Sequence, residues 1–198
     1  MTREKLILAA INNFSEHGYH GATMAKIAKD VDIKPASIYY FFKNKEELFK
    51  AALEHILENH FTSMKRTFET SKAKPINDLL CNLLDSIVKH HTTYTEETRA
   101  YVTMITAPIP KIKETIMAYL DSYHTWLVKR LLNIIILNHP ELNRHDIRKL
   151  IDYFIFIGNG LFWGVIIYNE TCLQKNIEQA HYLINQYIID NFGREYFG

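Results

Sequence analysis

Apolar residues recur along most of this chain at the three-and-four spacing of an amphipathic helix, and strict apolar/polar alternation never persists. The pattern predicts an all-α protein of about nine helices, three short ones first and longer ones after. A first helix runs from Thr2 to about His17, with Ile7, Ala10, Ile11 and Phe14 on one face, and Gly18 ends it. Thr23 is the expected N-cap of a second helix whose inner face is Met24, Ile27, Ala28 and Val31. A break at Asp32-Ile33 precedes a short third helix near Lys34-Pro35, where proline suits the first turn, with Ile38 and Phe42 as its anchors. Asn44 caps a long fourth helix carrying Leu48, Phe49, Ala52, Leu53, Ile56 and Leu57.

Punctuation is sparser beyond that point. Pro75 opens a helix to about His91, and the polar stretch from Thr92 to Glu96 separates it from one containing Tyr101 and Met104. Pro108 and Pro110 break the chain before a long helix from about Lys111 to Leu137. After a turn at His139-Pro140, two more helices are expected, roughly residues 144–168 and 174–192. The organisation this suggests is a small N-terminal domain, residues 1–46, followed by a larger helical domain, residues 47–198.

Composition narrows the function classes. The formal net charge of +1 excludes a uniformly basic coat for sequence-blind DNA packaging but leaves room for a local basic face. Residues 1–50 carry eight basic and six acidic side chains, only a mild positive excess. Cys81 and Cys172 lie far apart without CxxC spacing, so the expectation is two buried, reduced thiols. The N-terminal stretch lacks a signal-peptide cleavage pattern. The most apolar run, Tyr153 to Tyr168, contains Asn159 and falls short of the roughly 20 residues that span a bilayer. A soluble, cytoplasmic protein is the reading.

Two short helices joined by a tight turn, behind a helix packed across them, describe a helix-turn-helix unit, whose second helix enters the DNA major groove. The expected third helix offers Lys34, Ser37, Tyr39 and Tyr40 beyond its anchors. Hydroxyls and an ammonium suit phosphate oxygens, and aromatic edges pack on thymine methyls. Tyr39, Tyr40, Phe41 and Phe42 are four successive aromatics, which cannot all face one small core. Lys45 adds a charge beside a helix N-terminus.

The run GYHGATMAKIAKDVDIKPASIYYFFKNKEEL, residues 18–48, resembles the N-terminal signature of TetR-family regulators. It has the Gly-aromatic pair, the capping Thr, Ile-Ala, Tyr-x-aromatic-Phe and Lys-Glu-x-Leu of that family. The resemblance implies that Thr23 caps the second helix beside a phosphate and that Lys34, Pro35, Ala36 and Ser37 open the recognition helix. Tyr39 and Tyr40 would then contact backbone or bases, and Lys45 would hold a phosphate. Three positions depart from the pattern: Asp32 stands where a turn glycine is usual, Lys34 where Ser or Thr is common, and Ala36 where Gly is frequent. They bear on base preference more than on the fold.

The same resemblance implies a homodimer, a double-stranded DNA operator and a small-molecule effector bound among the later helices. The expected dimer element is the last two long helices, where the region of Phe156, Gly160 and Gly164 is apolar nearly all round and its glycines admit a close neighbour. Tyr101, Met104, Tyr123, Trp126, Phe154 and Trp163 are candidates for a pocket suited to a hydrophobic or aromatic effector, or for ordinary core packing. Adjacent His90 and His91 point about 100° apart on a helix and do not chelate together. No metal or cofactor is therefore assigned, and the chain has no Gly-rich phosphate loop, HExxH or GxSxG. Two other readings are weaker: an all-helical enzyme or ligand-binding protein whose N-terminal module does not bind DNA, which the lack of a catalytic constellation counts against, and a sequence-blind architectural DNA binder, which the near-neutral charge disfavours.

Overall fold

The computed structural model describes residues 2–106 and 110–194. They form α1 (Thr2–Gly21), α2 (Met24–Asp30), a 3-10 helix (Pro35–Tyr40), α3 (Lys45–Ser71), α4 (Ile76–Thr93), α5 (Thr95–Thr106), α6 (Pro110–Asn138), α7 (Arg144–Ile167) and α8 (Glu170–Asn191). No strand occurs among the described residues, as the helical periodicity predicts. The break assigned to Pro108 lies outside the described residues. By internal contact the chain falls into two units, Met1–His60 with Tyr94–Asp121, and Phe61–Thr93 with Ser122–Gly198. The division falls within α3 and within α6.

In the first unit α1 buries Leu6, Ile7, Ala10, Ile11 and Phe14, and packs along α5. Each of the larger of these side chains withdrawn from water contributes about 1.5–3 kcal/mol. Phe14 meets Phe49 of α3 edge to face, ring centroids 4.7 Å apart. Gly18 has φ 64° and ψ −178°, a region essentially closed to residues with a Cβ, so α1 kinks there and continues one further turn instead of stopping. α5 is tied on by polar contacts at its start. The Ser15 hydroxyl donates to Glu96 Oε2 at 2.6 Å, and the Asn59 amide donates to both oxygens of Glu97, at 3.1 and 2.9 Å.

The second unit is built on α4, α7 and α8, which pack against one another. Its core includes Leu80, Leu83, Leu84, Ile147, Leu150, Ile151, Phe154, Ile184 and Ile188. α7 has 24 residues, with a mean hydropathy of 1.8 over its most apolar window, of which 33% is buried. By length and composition alone it could cross a membrane, because Ile147, Leu150 and Ile151 extend the shorter apolar run read from the sequence.

α8 begins four residues earlier than expected. Asn169 is its N-cap, accepting from the backbone N–H of Cys172 at 2.9 Å. Cys172 therefore lies in an exposed first turn and is not the buried thiol the sequence suggests. Cys81 is half-buried, and burial, followed by Asp85 and Asp78, pushes its thiol up to about 12.

Candidate nucleic-acid interface

The turn ahead of the reading segment is a helix cap with aspartate in the glycine position. Ile33 N–H donates to Ala28 O at 3.1 Å and Asp32 N–H to Lys29 O at 3.1 Å, the paired bonds of a Schellman motif. That motif needs a left-handed residue, and Asp32 supplies it with φ 58°. At the other end of α2, Thr23 is extended, and its hydroxyl oxygen accepts from Lys26 N–H at 3.2 Å. The hydroxyl proton of Thr23, an exposed residue, is left to donate outward.

Pro35–Tyr40 is a 3-10 helix, tighter than the α-helix expected, with Lys34 at its N-cap and Pro35 in its first turn. Three residues per turn eclipse positions three apart. Ile38 and Phe41 thus share the inward side, Ile38 fully buried and Phe41 half-buried. Ala36 with Tyr39, and Ser37 with Tyr40, form two outward rows. Lys34, Pro35, Ala36, Ser37, Tyr39 and Tyr40 are all exposed, and Tyr40 is 89% exposed. Four consecutive aromatics thus split into two that hold the unit together and two that face out.

Lys45 is more committed inside the unit than the sequence suggests. Its ammonium donates to the carbonyls of Tyr19 (2.5 Å) and Ala22 (3.0 Å) and sits 4.3 Å from the centre of the Tyr19 ring. Burial lowers its pKa below the ordinary lysine value. Two of its three donors thus fasten the segment after the Gly18 kink to the start of α3. Asn44 caps that start, its side chain accepting from Glu47 N–H at 2.8 Å, while Glu47 Oε2 accepts from Lys43 N–H at 2.8 Å.

Lys26 and Lys29 are not among the residues that the sequence reading singles out. They lie with Lys34, Pro35 and Asp32 around an open depression beside the 3-10 helix. A signal for them exists: α2 buries Met24, Ile27 and Ala28, which leaves Lys26 and Lys29 outward.

The six effector candidates do not share one environment. Tyr101 and Met104 pack in the core of the first unit. Tyr123, Trp126 and Phe154 belong to that of the second, where Phe61 meets Tyr123 and Trp126 edge-on with centroids 5.4 and 5.0 Å apart. Trp163 is exposed and so is not beside Phe154; nine residues on a helix turn it to the opposite side. The two expected interface glycines also separate. A Cβ at Gly164 would lie 3.6 Å from Leu173 and Tyr168, whereas one at Gly160 would meet nothing within 4 Å.

A short capped helix, a left-handed turn and a second helix presenting exposed tyrosines and lysines define a helix-turn-helix DNA-binding protein. Residues 6–52 match the family model for bacterial regulatory proteins of the tetR family. The chain is 30% identical over 153 residues to the biofilm operon icaADBC HTH-type negative transcriptional regulator IcaR of Staphylococcus epidermidis, covering 77% of this chain and 80% of that protein. Solved structures similar in fold include the regulator FadR of Bacillus subtilis in complex with stearoyl-CoA (TM-score 0.72, 19% identity, 91% of this chain and 96% of that one). Another is the TetR-family regulator PfmR of Thermus thermophilus (TM-score 0.67, 16% identity, 93% and 95%). The chain belongs to the TetR family and is a DNA-binding transcriptional regulator.

Proposed function

We propose that this regulator is a cytoplasmic repressor that holds a pseudo-palindromic operator as a homodimer and leaves it when a small hydrophobic or aromatic effector binds. The observation that carries the operator surface is the outward pair Tyr39 and Tyr40 on a helix flanked by Lys34 and by the Thr23 cap. In this reading residues 1–46 are the DNA-binding domain and residues 47–198 bind effector and partner. Thr23, Lys34 and Ser37 meet phosphates. Pro35 and Ala36 set how closely the helix start approaches the groove, and Tyr39 and Tyr40 meet bases or sugar. Lys45 offers its remaining donor to a phosphate while bracing the unit.

The dimer reading rests on α7. Phe156, Gly160, Trp163 and Ile167 are exposed at successive turns of one face, opposite Phe154 and Leu161 in the core. An apolar stripe of this length on a monomer marks an interaction surface, and the open Gly160 admits a close helix. A lone helix-turn-helix contacts too few base pairs for selectivity, which a two-fold dimer corrects.

Repression is supported by the negative regulator from Staphylococcus epidermidis, and an amphipathic apolar effector by the stearoyl-CoA in FadR. The aromatic cluster of Phe61, Tyr123 and Trp126 is where an apolar effector would find rings to pack on. Gel-shift competition on duplexes selected from a random library tests the proposal. A preference of at least about 10³-fold for one pseudo-palindrome is expected, and failure to bind any duplex at low salt refutes it.

A further inference from the structure

Arg3 lies in the first turn of α1, far from the reading segment in sequence, yet its guanidinium carbon is 4.9 Å from the centre of the Phe42 ring. Phe42 is 1% exposed and Arg3 is exposed, so the guanidinium forms a layer between that ring and solvent. Phe42 directly follows the Tyr39–Phe41 aromatics and precedes the exposed Lys43. Among the described residues Arg3 forms no ion pair with a carboxylate, and the aromatic ring is the contact that holds it.

We propose that Arg3 is a further DNA-backbone contact, held by Phe42 at the edge of the reading segment; this rests on the DNA-binding reading above. A guanidinium held over an aromatic face is attracted there by its charge, which leaves its five N–H donors for other partners. That permanently charged fork matches the non-bridging oxygens of a phosphodiester. Holding it over Phe42 beforehand lowers the cost of ordering a long side chain when DNA arrives. A phosphate is the matched target because Arg3 comes from α1, and residues flanking the reading helix meet the sugar-phosphate walls of the groove that helix occupies.

The test measures affinity of the full chain for a mixed-sequence duplex of about 30 base pairs across a salt series, where each phosphate contact contributes about 0.9 to the slope of log K against log salt. Arg3→Gln is expected to lower the slope by about 0.9 for each engaged head, with an unchanged circular dichroism spectrum, and Arg3→Lys, which keeps the charge but loses the fork over Phe42, to keep the slope while binding more weakly at any one salt concentration. An Arg3→Gln slope equal to that of the unsubstituted chain overturns the proposal, as does an Arg3→Lys variant that binds as tightly as the unsubstituted chain. If the unsubstituted chain itself binds no DNA, the DNA-binding reading fails first, an outcome separate from failure at Arg3.

Discussion

Asp32 is the residue whose replacement isolates the backbone geometry of the turn. It is the one non-glycine with positive φ among the described residues, at 58°, and it holds the left-handed position of the cap between α2 and the 3-10 helix. A Cβ in that conformation costs about 1–2 kcal/mol relative to glycine, part of which aspartate recovers through local polar contacts. Glycine in turn loses about 0.5–1 kcal/mol more backbone entropy on folding than alanine. Asp32→Gly and Asp32→Ala should therefore differ by about 1 kcal/mol, glycine the more stable. In a chain of this size that is about 2–4 °C in melting temperature. Both variants also remove a carboxylate from the depression lined by Lys26, Lys29 and Lys34, so both should bind a mixed-sequence duplex more tightly, and to the same degree. Thermal melts by circular dichroism read the first effect and fluorescence anisotropy the second. An alanine variant that melts at or above the glycine variant refutes the strain reasoning. Unequal DNA affinities refute the electrostatic part.

Tyr40→Ala removes a ring that is 89% exposed, so operator affinity should fall by about tenfold or more while the melting temperature stays within about 1 °C. Lys45→Ala should lower both operator affinity and melting temperature, since the Tyr19 and Ala22 carbonyls lose a charged donor worth about 1–2 kcal/mol, and an unchanged melt would show those bonds to be idle. Gly160→Leu should leave the helical content intact and shift sedimentation toward monomer, whereas Gly164→Leu should lower stability by crowding Leu173 and Tyr168. His90, buried in the second unit, has its pKa lowered to about 4 by burial. Below its ordinary pKa of about 6.5 the unfolded chain takes up a proton that the folded chain refuses. Stability from this group is thus present above pH 6.5 and lost as pH falls toward 4, by at most about 3 kcal/mol. His90→Leu should flatten the melting temperature across that window, and an unaltered pH profile would assign the acid sensitivity elsewhere.

The head is legible because its signals are local. Thr23 and Asn44 cap through contacts three residues away, and Ile38 and Phe42 are anchors recognisable by type and spacing. Even the split among the four aromatics follows from the size of the core they share. The 3-10 geometry is not legible, since Pro35–Tyr40 is too short for its period to distinguish three residues per turn from 3.6. Lys45 escapes for a different reason: its partners, the carbonyls of Tyr19 and Ala22, are backbone atoms brought near by the Gly18 kink, and side-chain chemistry does not announce them. In the larger part, punctuation finds the helices, but Asn169 sits at the end of an apolar run, where its capping role is easily missed, so the start expected for α8 falls four residues too late. The effector candidates are the least legible from sequence. Aromatic residues at helical spacing fill cores as readily as they line cavities, and the separation of Trp163 from Phe154 emerges only when their positions are counted around one helix.

Hydroxyl-radical footprinting of the full chain, on a duplex that the chain itself selects from a random library, tests the reading surface most directly when repeated with Tyr39→Ala/Tyr40→Ala. Two protected patches related by a pseudo-dyad are expected, spaced by about one helical turn or a multiple of it, and lost in the double variant. Selection that enriches no sequence, or an identical footprint without the two tyrosines, would contradict a regulator that reads its operator through this helix.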